Sequence, residues 1–245
     1  MKARWLTVCL ITVLLSGACA GPAPTSTPPA APAGDTDGPR EVTFQTDDGV
    51  PLSGTLFGQG AGVGVVLSHM FPTDQTSWHA FAQALADNGY MALSYDFRGY
   101  GKSGGEKQID RIDRDVRAAV SFLREQGARQ IALIGASMGG SASAKVAASV
   151  EADGLVVLSS PQAFHGLAVT ADDLKSLRAP SLWIGSRGDA ATADTEAMHA
   201  LANEPKTLHV YEGSAHGTYI FATADGADLV RRLMDFLSNN FPLDR

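Results

Sequence analysis

Apolar and polar positions along the chain follow two periods, which indicate strands and helices in alternation. Short apolar or alternating runs are typical of strands, and apolar residues three and four positions apart are typical of amphipathic helices. The strand-like runs are Glu41–Gln45, Pro51–Phe57, Val63–Ser68, Tyr90–Tyr95, Ile131–Gly135, Leu155–Leu158, Ser181–Gly185 and Thr207–Tyr211. The helix-like segments are Trp78–Ala86, Ile109–Glu125, Met138–Val150, Thr192–Ala202 and Asp225–Phe241, with a short helix near Ala171–Leu177.

This alternation predicts an α/β fold. Strands that are separated by helices and apolar throughout form a parallel sheet that helices cover on both faces. We therefore expect a mostly parallel central sheet of about eight strands. The first two strands differ, because they alternate apolar and polar residues and flank Asp47-Asp48-Gly49, a hairpin turn.

The first 40 residues differ in composition from the rest of the chain. Lys2 and Arg4 precede an apolar run over residues 5–15 and then small residues, the order of a secretory signal peptide. The apolar run is shorter than the roughly 20 residues that a membrane-spanning helix needs. Six of the 12 prolines also lie in the first 40 residues, which predicts an extended tether. We expect a signal peptide (1–18), a Pro/Ala-rich tether (19–40) and one folded domain (41–245).

The end of the signal peptide has two interpretations, and both remain open. Leu15-Ser16-Gly17-Ala18-Cys19 resembles a bacterial lipobox, which implies that Cys19 carries a lipid and anchors the protein to the membrane outside the cytoplasm. Ala18-Cys19-Ala20 also fits the A-x-A cleavage rule, and cleavage after Ala20 would release a soluble secreted protein. The tether that follows favours the anchor.

Charge and cysteine content exclude several classes of function. The chain has 19 Lys and Arg against 26 Asp and Glu, a formal charge of -7, which argues against a nucleic-acid partner. Cys9 and Cys19 are the only cysteines, so the folded domain has no disulfide framework and no Cys-ligated metal. His199 and His209 have no second ligand at metal-binding spacing. We expect neither a metal nor an organic cofactor.

A glycine-rich segment suggests nucleotide binding but has a structural interpretation. Gly99–Gly104 matches G-x-G-x-x-G, and its Gly-Lys-Ser resembles the end of a P-loop. Asp96 occupies the position where a P-loop requires its first glycine, so a carboxylate would lie where a phosphate should. We interpret the segment as a glycine-rich turn.

The charged run over residues 110–117 also has a structural interpretation. Asp110 with Arg114, and Asp113 with Arg117, stand four positions apart in the order that stabilises a helix. We expect a solvated helix face whose charges pair with one another.

A G-x-S-x-G motif carries the strongest indication of chemistry. Gly135-Ala136-Ser137-Met138-Gly139 lies between a predicted strand and an Ala-rich helix. A serine on such a tight turn needs small residues two positions before and after it, and both are glycine here. The helix N-terminus directs N–H groups and a positive dipole towards an anion that forms beside the serine. We predict that Ser137 is a nucleophile.

A serine nucleophile needs a general base, and the base needs a carboxylate that orients it. Asp189 and His216 follow two later strands, in the order Ser, Asp, His that this kind of turn predicts. Both lie beyond the carboxyl ends of strands, where parallel sheets place their sites. Asp194 lies close to Asp189 in the sequence and competes with it for the role of the acid.

Two further motifs complete a resemblance to the α/β-hydrolase superfamily, which extends over essentially all of residues 41–245. His69-Met70-Phe71-Pro72 resembles the family's His-Gly-X loop after the third strand. Asp96–Ser103 resembles its Asp-x-Arg-Gly-x-Gly-x-Ser turn. The resemblance identifies residues 41–245 as the catalytic domain.

The resemblance also implies roles for individual residues. Ser137, Asp189 and His216 align with the nucleophile, the acid and the base. The oxyanion hole would use the backbone N–H of Met138 and of Phe71. Because Met70 replaces the family's glycine, Met70 and Phe71 both remain candidates for the second donor.

The size of the cap and the chemistry of the rim suggest the substrate. About twenty residues separate Leu158 from Ser181, which is too short for the helical cap of many family members. The protein therefore resembles capless, esterase- and dienelactone-hydrolase-like enzymes. We expect Phe71, Met138 and Phe164 to give the rim of the site an apolar character. Substrate contacts are expected from Met70, Phe164 and His165.

The implied function is that of an exported serine hydrolase that cleaves small-molecule carboxylic esters through an acyl-enzyme. An acyl-peptidase or aminopeptidase-like hydrolase, a thioesterase and a non-catalytic binding module on a hydrolase scaffold remain as alternatives. Serine as the nucleophile argues against haloalkane and epoxide chemistry, in which related families use an aspartate.

Cys19 allows the two cleavage sites to be distinguished. We expect wild type to partition into the detergent phase of a phase-separation assay and Cys19→Ala to move to the aqueous phase, because only a lipidated Cys19 supplies acyl chains. Equal partitioning of the two proteins would contradict lipidation.

Overall fold

The computed structural model describes residues 38–59, 62–149 and 152–243 of the 245-residue chain. The predicted signal peptide, Cys19 and the tether as far as residue 37 lie outside the described residues. Within the described part of the chain, none of the helices is both long enough and apolar enough to cross a bilayer.

The strands that the sequence predicts are all present, with ends that differ by at most one residue. The strands of the described residues are β1 (Arg40–Gln45), β2 (Pro51–Phe57), β3 (Val63–Ser68), β4 (Met91–Tyr95), β5 (Gln130–Ala136), β6 (Gly154–Leu158), β7 (Ala163–Phe164), β8 (Leu167–Ala168), β9 (Ser181–Ser186) and β10 (Lys206–Tyr211). Only the hairpin of β7 and β8 was not predicted, because strands of two residues are too short to show a period.

Eight of these strands form one sheet in the order β1–β2–β4–β3–β5–β6–β9–β10. The pairs β1–β2 and β2–β4 are antiparallel, and all other neighbouring pairs are parallel. The prediction of a mostly parallel sheet of about eight strands is therefore confirmed.

Helices cover both faces of this sheet. They are α1 (His79–Asp87), α2 (Ile112–Glu125), α3 (Met138–Ala147), α4 (Ala171–Ser176), α5 (Thr192–Leu201) and α6 (Gly226–Asn240). One apolar core joins the sheet to α2, α3, α4 and α5, and a second joins it to α1 and α6. Strand β5 supplies both cores alternately, with Ile131 and Leu133 in the first and Ala132 and Ile134 in the second, because successive side chains of a strand point to opposite faces.

The segment between β6 and β9 contains the β7–β8 hairpin and the short helix α4. This agrees with the prediction that the chain has no sizeable cap. The carboxyl ends of β5, β6 and β9 are therefore not covered by an inserted helical domain over residues 159–180.

The glycine-rich segment is a turn that encloses the carboxylate of Asp96. Its Oδ2 accepts hydrogen bonds from the Lys102 backbone N–H (2.9 Å) and from the Gln75 side-chain amide (3.0 Å), and its Oδ1 from the Gln75 backbone N–H (3.0 Å). A Cβ on Gly101 would collide with this carboxylate. An internal anion thus occupies the space that a phosphate would need.

The charged run at the start of α2 departs from its sequence interpretation. Arg117 pairs with Asp113 (3.8 Å) as expected, but Arg114 pairs with Asp47 of the β1–β2 hairpin (2.7 Å) rather than with Asp110. The hairpin turn approaches the helix, and sequence spacing does not reveal this long-range contact.

Asp115 in the same run is completely buried and pairs with the buried Arg98. The Arg98 guanidinium donates to Asp115 through Nε (2.8 Å) and NH2 (2.6 Å), and its NH1 donates to Asp48 (3.0 Å). The Arg98 backbone N–H also donates to Asp115 (2.9 Å). These bonds attach α2 to the turn that follows β4 and to the β1–β2 hairpin.

Asp115→Asn should therefore destabilise the fold by about 3 kcal/mol, because it removes one partner of a buried ion pair. Asp113→Asn, which removes a partly exposed pair on the same helix, should cost less than about 0.5 kcal/mol. Urea denaturation of the two variants measures the difference. Equal midpoints would contradict the assignment of Asp115 as the buried partner of Arg98.

Candidate active site

Ser137 occupies a strained turn between β5 and α3. Its φ is 51°, a left-handed conformation that is uncommon for a residue with a side chain. The Ser137 N–H donates to the Leu158 carbonyl at the end of β6 (2.8 Å), and the Ser137 carbonyl accepts from the N–H groups of Gly140 (2.9 Å) and Ser141 (3.0 Å). The neighbouring backbone thus holds the residue in a conformation that it would not adopt alone.

The glycines around Ser137 are required because backbone segments touch at this turn. A Cβ on Gly135 would lie 2.6 Å from the Gly140 nitrogen, and one on Gly139 would lie 2.5 Å from the Ser68 carbonyl oxygen. Real Cβ atoms do not come this close to backbone atoms. The first turn of α3 therefore packs directly against the ends of β5 and β3.

His216 and Asp189 form a hydrogen-bonded pair beside this turn. His216 Nδ1 lies 2.9 Å from Asp189 Oδ2, and the Asp189 side chain is 8% exposed while that of His216 is 31% exposed. The loops that carry them are joined, because Ser186 Oγ donates to the Ala215 carbonyl (2.7 Å) and the Gly188 N–H to the Gly213 carbonyl (2.9 Å). The bond between His216 and Asp189 places a proton on Nδ1 of His216, because an ionised carboxylate can only accept a hydrogen bond.

Asp194, the competing carboxylate, has a different partner. Its Oδ2 accepts from the Gln162 backbone N–H at 2.9 Å, whereas Asp189 Oδ1 accepts from the Ala191 backbone N–H at 3.2 Å. The structure therefore brings Asp189, and not Asp194, to the imidazole of His216.

The loop after β3 is organised by the buried side chain of His69. The Phe97 backbone N–H donates to His69 Nε2 (3.1 Å), so that nitrogen is unprotonated and Nδ1–H donates to the Met70 carbonyl (3.0 Å). Burial lowers the pKa of His69, which agrees with a neutral ring.

The Met70 carbonyl accepts two further hydrogen bonds, from the Thr73 backbone N–H and the Thr73 hydroxyl, both at 2.9 Å. The C=O and N–H of a trans peptide point in opposite directions. The three bonds therefore turn the Phe71 N–H away from His69 and Thr73. Among the hydrogen bonds of the described residues, none is donated by the backbone N–H of Phe71 or of Met138.

A cleft of about 370 Å³ lies over the Ser137 turn. Its lining contains Phe71, Ser137, Pro161, Phe164, Asp189, Ala190, Ala191, Asp194 and His216. The rings of Phe71 and Phe164 lie 6.1 Å apart, centroid to centroid, and Phe71 is 46% exposed. The expected apolar rim is present in these two side chains.

Two predicted substrate contacts lie elsewhere. Met70 is completely buried, and Thr218 donates a weak hydrogen bond to its sulfur (3.5 Å), so its side chain does not reach the cleft. His165 is exposed, packs edge-on against Phe164 (4.4 Å) and does not line the cleft. The Met138 side chain is also buried, which leaves its backbone N–H as the group that faces the turn.

Comparison with known families classifies the chain. A profile of the family described as serine aminopeptidase S33 matches residues 63–205, more than half of the sequence. The chain belongs to this family. The matched range includes Ser137 and Asp189, and His216 follows it.

Curated relatives are similar to all or part of this range. An uncharacterized protein of Mycobacterium tuberculosis is 29% identical over 225 residues, 80% of this chain and 77% of the relative. Bifunctional epoxide hydrolase 2 of Sus scrofa is 36% identical over 83 residues, 33% of this chain and only 15% of that protein.

Among solved structures, an esterase of Pyrococcus furiosus has a TM-score of 0.72 at 21% identity, over 82% of this chain and 90% of that one. The α/β hydrolase GrgF of Penicillium has a TM-score of 0.71 at 19% identity, over 82% and 98% of the two chains. At these identities the likeness establishes the fold.

The described residues contain no group of three or more His, Cys, Asp or Glu side chains that could hold a metal ion. The polar groups of the cleft are instead a serine, an imidazole and two carboxylates. Chemically, this set can transfer protons and form an ester bond to Ser137.

Gly139→Ala tests the contact between α3 and β3 in this S33 family member. The new methyl would lie 2.5 Å from the Ser68 carbonyl, and backbone atoms cannot rotate away, so we expect a loss of stability of about 1–3 kcal/mol. Gly213→Ala is the control, because its methyl would meet nothing within 4 Å. Equal thermal midpoints for both variants would refute the close approach.

Proposed function

We propose that the chain is a serine hydrolase that cleaves carboxylic esters through an acyl-enzyme on Ser137. The observation that carries this proposal is the meeting of Ser137, His216 and Asp189, from three separate loops, around one cleft, with the imidazole bonded to the carboxylate. Nothing in the fold alone requires these three side chains to meet. The S33 family and the esterase folds support the same class of reaction.

In the first half-reaction, His216 Nε2 takes the proton of the Ser137 hydroxyl while Oγ attacks the ester carbonyl carbon. Asp189 holds Nδ1–H and stabilises the imidazolium that forms. The bond between the carbonyl carbon and the alcohol oxygen then breaks, and His216 returns its proton to the leaving alcohol. Ser137 is left as an ester of the substrate's acid.

In the second half-reaction, water replaces the alcohol. His216 takes a proton from the water as its oxygen attacks the acyl carbon, and Ser137 leaves with that proton. The products are the free acid and the original enzyme, so the cycle needs no further reactant.

The oxyanion of each tetrahedral intermediate would be bound by the backbone N–H groups of Met138 and Phe71. The Met138 N–H is at the N-terminus of α3, where the helix dipole favours a negative charge. The Phe71 N–H is oriented by the three hydrogen bonds on the Met70 carbonyl. This orientation favours Phe71 over Met70 as the second donor.

The cleft favours small or aromatic acyl groups. It has a volume of about 370 Å³, and the neighbouring rings of Phe71 and Phe164 are part of its lining. Residues 159–180 do not form a cap over the cleft. One end of a larger substrate could therefore remain in solvent while its acyl group lies in the cleft.

An aminopeptidase is the second candidate, and the description of the matching family favours it. Peptide substrates would use the same nucleophile, with an amine as the leaving group. Epoxide hydrolysis is disfavoured although an epoxide hydrolase is among the relatives, because the residue on the turn is Ser137 and not a carboxylate. Comparing ester, thioester and aminoacyl-amide turnover ranks the candidates.

We propose further that the enzyme is exported and, through Cys19, attached to the outer side of the cell membrane. The support for this location is the order of charged, apolar and small residues over residues 1–20 and the proline-rich tether that follows. A tether of this kind would hold an open cleft away from the membrane surface.

A fluorophosphonate probe should label wild type and leave Ser137→Ala unlabelled, because the probe reacts with an activated serine. Hydrolysis of short p-nitrophenyl esters should fall by about 10⁴-fold in Ser137→Ala and in His216→Gln. An unlabelled wild type would contradict the proposal.

Asp189→Asn should lower kcat by about 10²- to 10⁴-fold, because Asn does not stabilise the imidazolium or fix its tautomer. Asp172→Asn, an exposed carboxylate on α4, makes the same change of net charge and should leave kcat within about twofold. If both variants kept wild-type activity, Asp189 would not be the acid.

A further inference from the structure

The cleft contains a second carboxylate besides that of Asp189. Asp194, in the first turn of α5, lines the same cleft as Ser137 and His216. Its only hydrogen bond within the described residues joins Oδ2 to the Gln162 backbone N–H (2.9 Å). No Lys or Arg is among the residues that line the cleft, and none pairs with Asp194 in the described part of the chain.

The structural task of Asp194 does not require a negative charge. Its bond to Gln162 holds the segment after β6 against α5. Next to it, the hydroxyl of Thr195 accepts from the Ser160 N–H (2.9 Å) and donates to the Ser160 carbonyl (3.0 Å). A neutral side chain therefore makes bonds of the same kind one position along the helix. The position of Asp194 in the first turn of α5 favours a negative charge, and the cleft gives a ligand access to that charge.

In the described part of the chain, no Lys or Arg side chain pairs with the carboxylate of Asp194. The nearest basic residue on the loop before Asp189 is Arg187, which is exposed and pairs with Glu212 (3.0 Å). An unpaired carboxylate in a half-enclosed cleft attracts cations more strongly than one in bulk water, because the effective dielectric constant is lower.

Aromatic side chains add to this preference. Phe71 and Phe164, whose rings lie 6.1 Å apart, line the same cleft as Asp194. Aromatic faces attract ammonium groups through the quadrupole of the ring. Carboxylate and rings together form surroundings that suit an alkylammonium group and disfavour an anionic one.

We propose that Asp194 recognises a cationic substituent, an alkylammonium or quaternary ammonium group, on the substrate that Ser137 attacks. The proposal rests on the proposed function, since it assigns a substrate class to the same cleft. The charge of Asp194 lies in the same cleft as Ser137, His216 and Asp189 and takes no part in proton transfer.

Isosteric substrates separate charge from shape. Acetylthiocholine has a cationic nitrogen in its leaving group at the position where 3,3-dimethylbutyl thioacetate has an uncharged carbon. The p-nitrophenyl esters of 4-(trimethylammonio)butyrate and 5,5-dimethylhexanoate differ in the same way in the acyl group. The ratio of kcat/KM within each pair therefore measures recognition of charge on either side of the scissile bond.

We expect wild type to prefer the cationic member of at least one pair by about fivefold to tenfold. Asp194→Asn should bring that ratio close to one, because Asn keeps an oxygen acceptor for Gln162 and loses the charge. Asp172→Asn, with the same change in net charge away from the cleft, should keep the wild-type ratio. Rising ionic strength should lower the ratio in wild type.

Two results would overturn the inference: ratios near one in both pairs for wild type, or a ratio that Asp194→Asn does not change. Failure of the proposed function would look different, since no substrate would be turned over in a Ser137-dependent way. In that case equilibrium binding of choline against 3,3-dimethylbutanol tests Asp194 directly. A preference for choline that Asp194→Asn abolishes would support it, and no preference would refute it.

Discussion

The close packing of backbone at the start of α3 is the constraint on which the rest of the site depends. The chain leaves β5, reverses at Ser137 with a φ of 51°, and returns so close to β5 and β3 that Gly135 and Gly139 have no space for a Cβ. A positive φ at a residue with a side chain costs about 1–3 kcal/mol. The hydrogen bonds to Leu158, Gly140 and Ser141 offset that cost and fix Ser137 relative to β6 and to the body of the helix.

The same packing accounts for Met70, which stands where the His-Gly-X motif of the resemblance has glycine. The Met70 side chain is buried beneath the loop that follows His216. A Cβ on Gly217 would lie 2.8 Å from the Met70 sulfur and 3.2 Å from the Cβ of Ala136. The thioether therefore fills the space between the residue before Ser137 and the residue after His216. One side chain thus packs the loop after β3 against both the Ser137 turn and the loop of His216, and its unbranched, adaptable shape suits such an irregular gap.

The sheet and the residues of the site could be predicted because each carried a local pattern: apolar runs for β3 to β6, and the G-x-S-x-G turn for Ser137. What could not be predicted depends on contacts between distant segments. Asp115 stands three positions after Ile112 and four before Ala119, on the apolar face of α2. Only the position of Arg98 after β4 shows which charge it pairs with there. The β7–β8 hairpin is too short to have a period, yet it brings Phe164 to the cleft. Asp194 and Asp189 were both candidates for the acid until the fold placed one of them at His216.

Two carboxylates of one loop and helix differ in role because their surroundings differ. Asp189 is almost fully buried and bonds to the imidazole of His216, so its partner lies within the protein. Asp194, five positions later, bonds to a backbone N–H and pairs with no Lys or Arg among the described residues, and under our proposal its charge binds a ligand. Separation of this kind is a general way for a site to use identical groups for different tasks. In a hydrolase without a cap, the side chains at the strand ends must also select the substrate, and Asp194 with Phe71 and Phe164 is the part of the cleft that can do so.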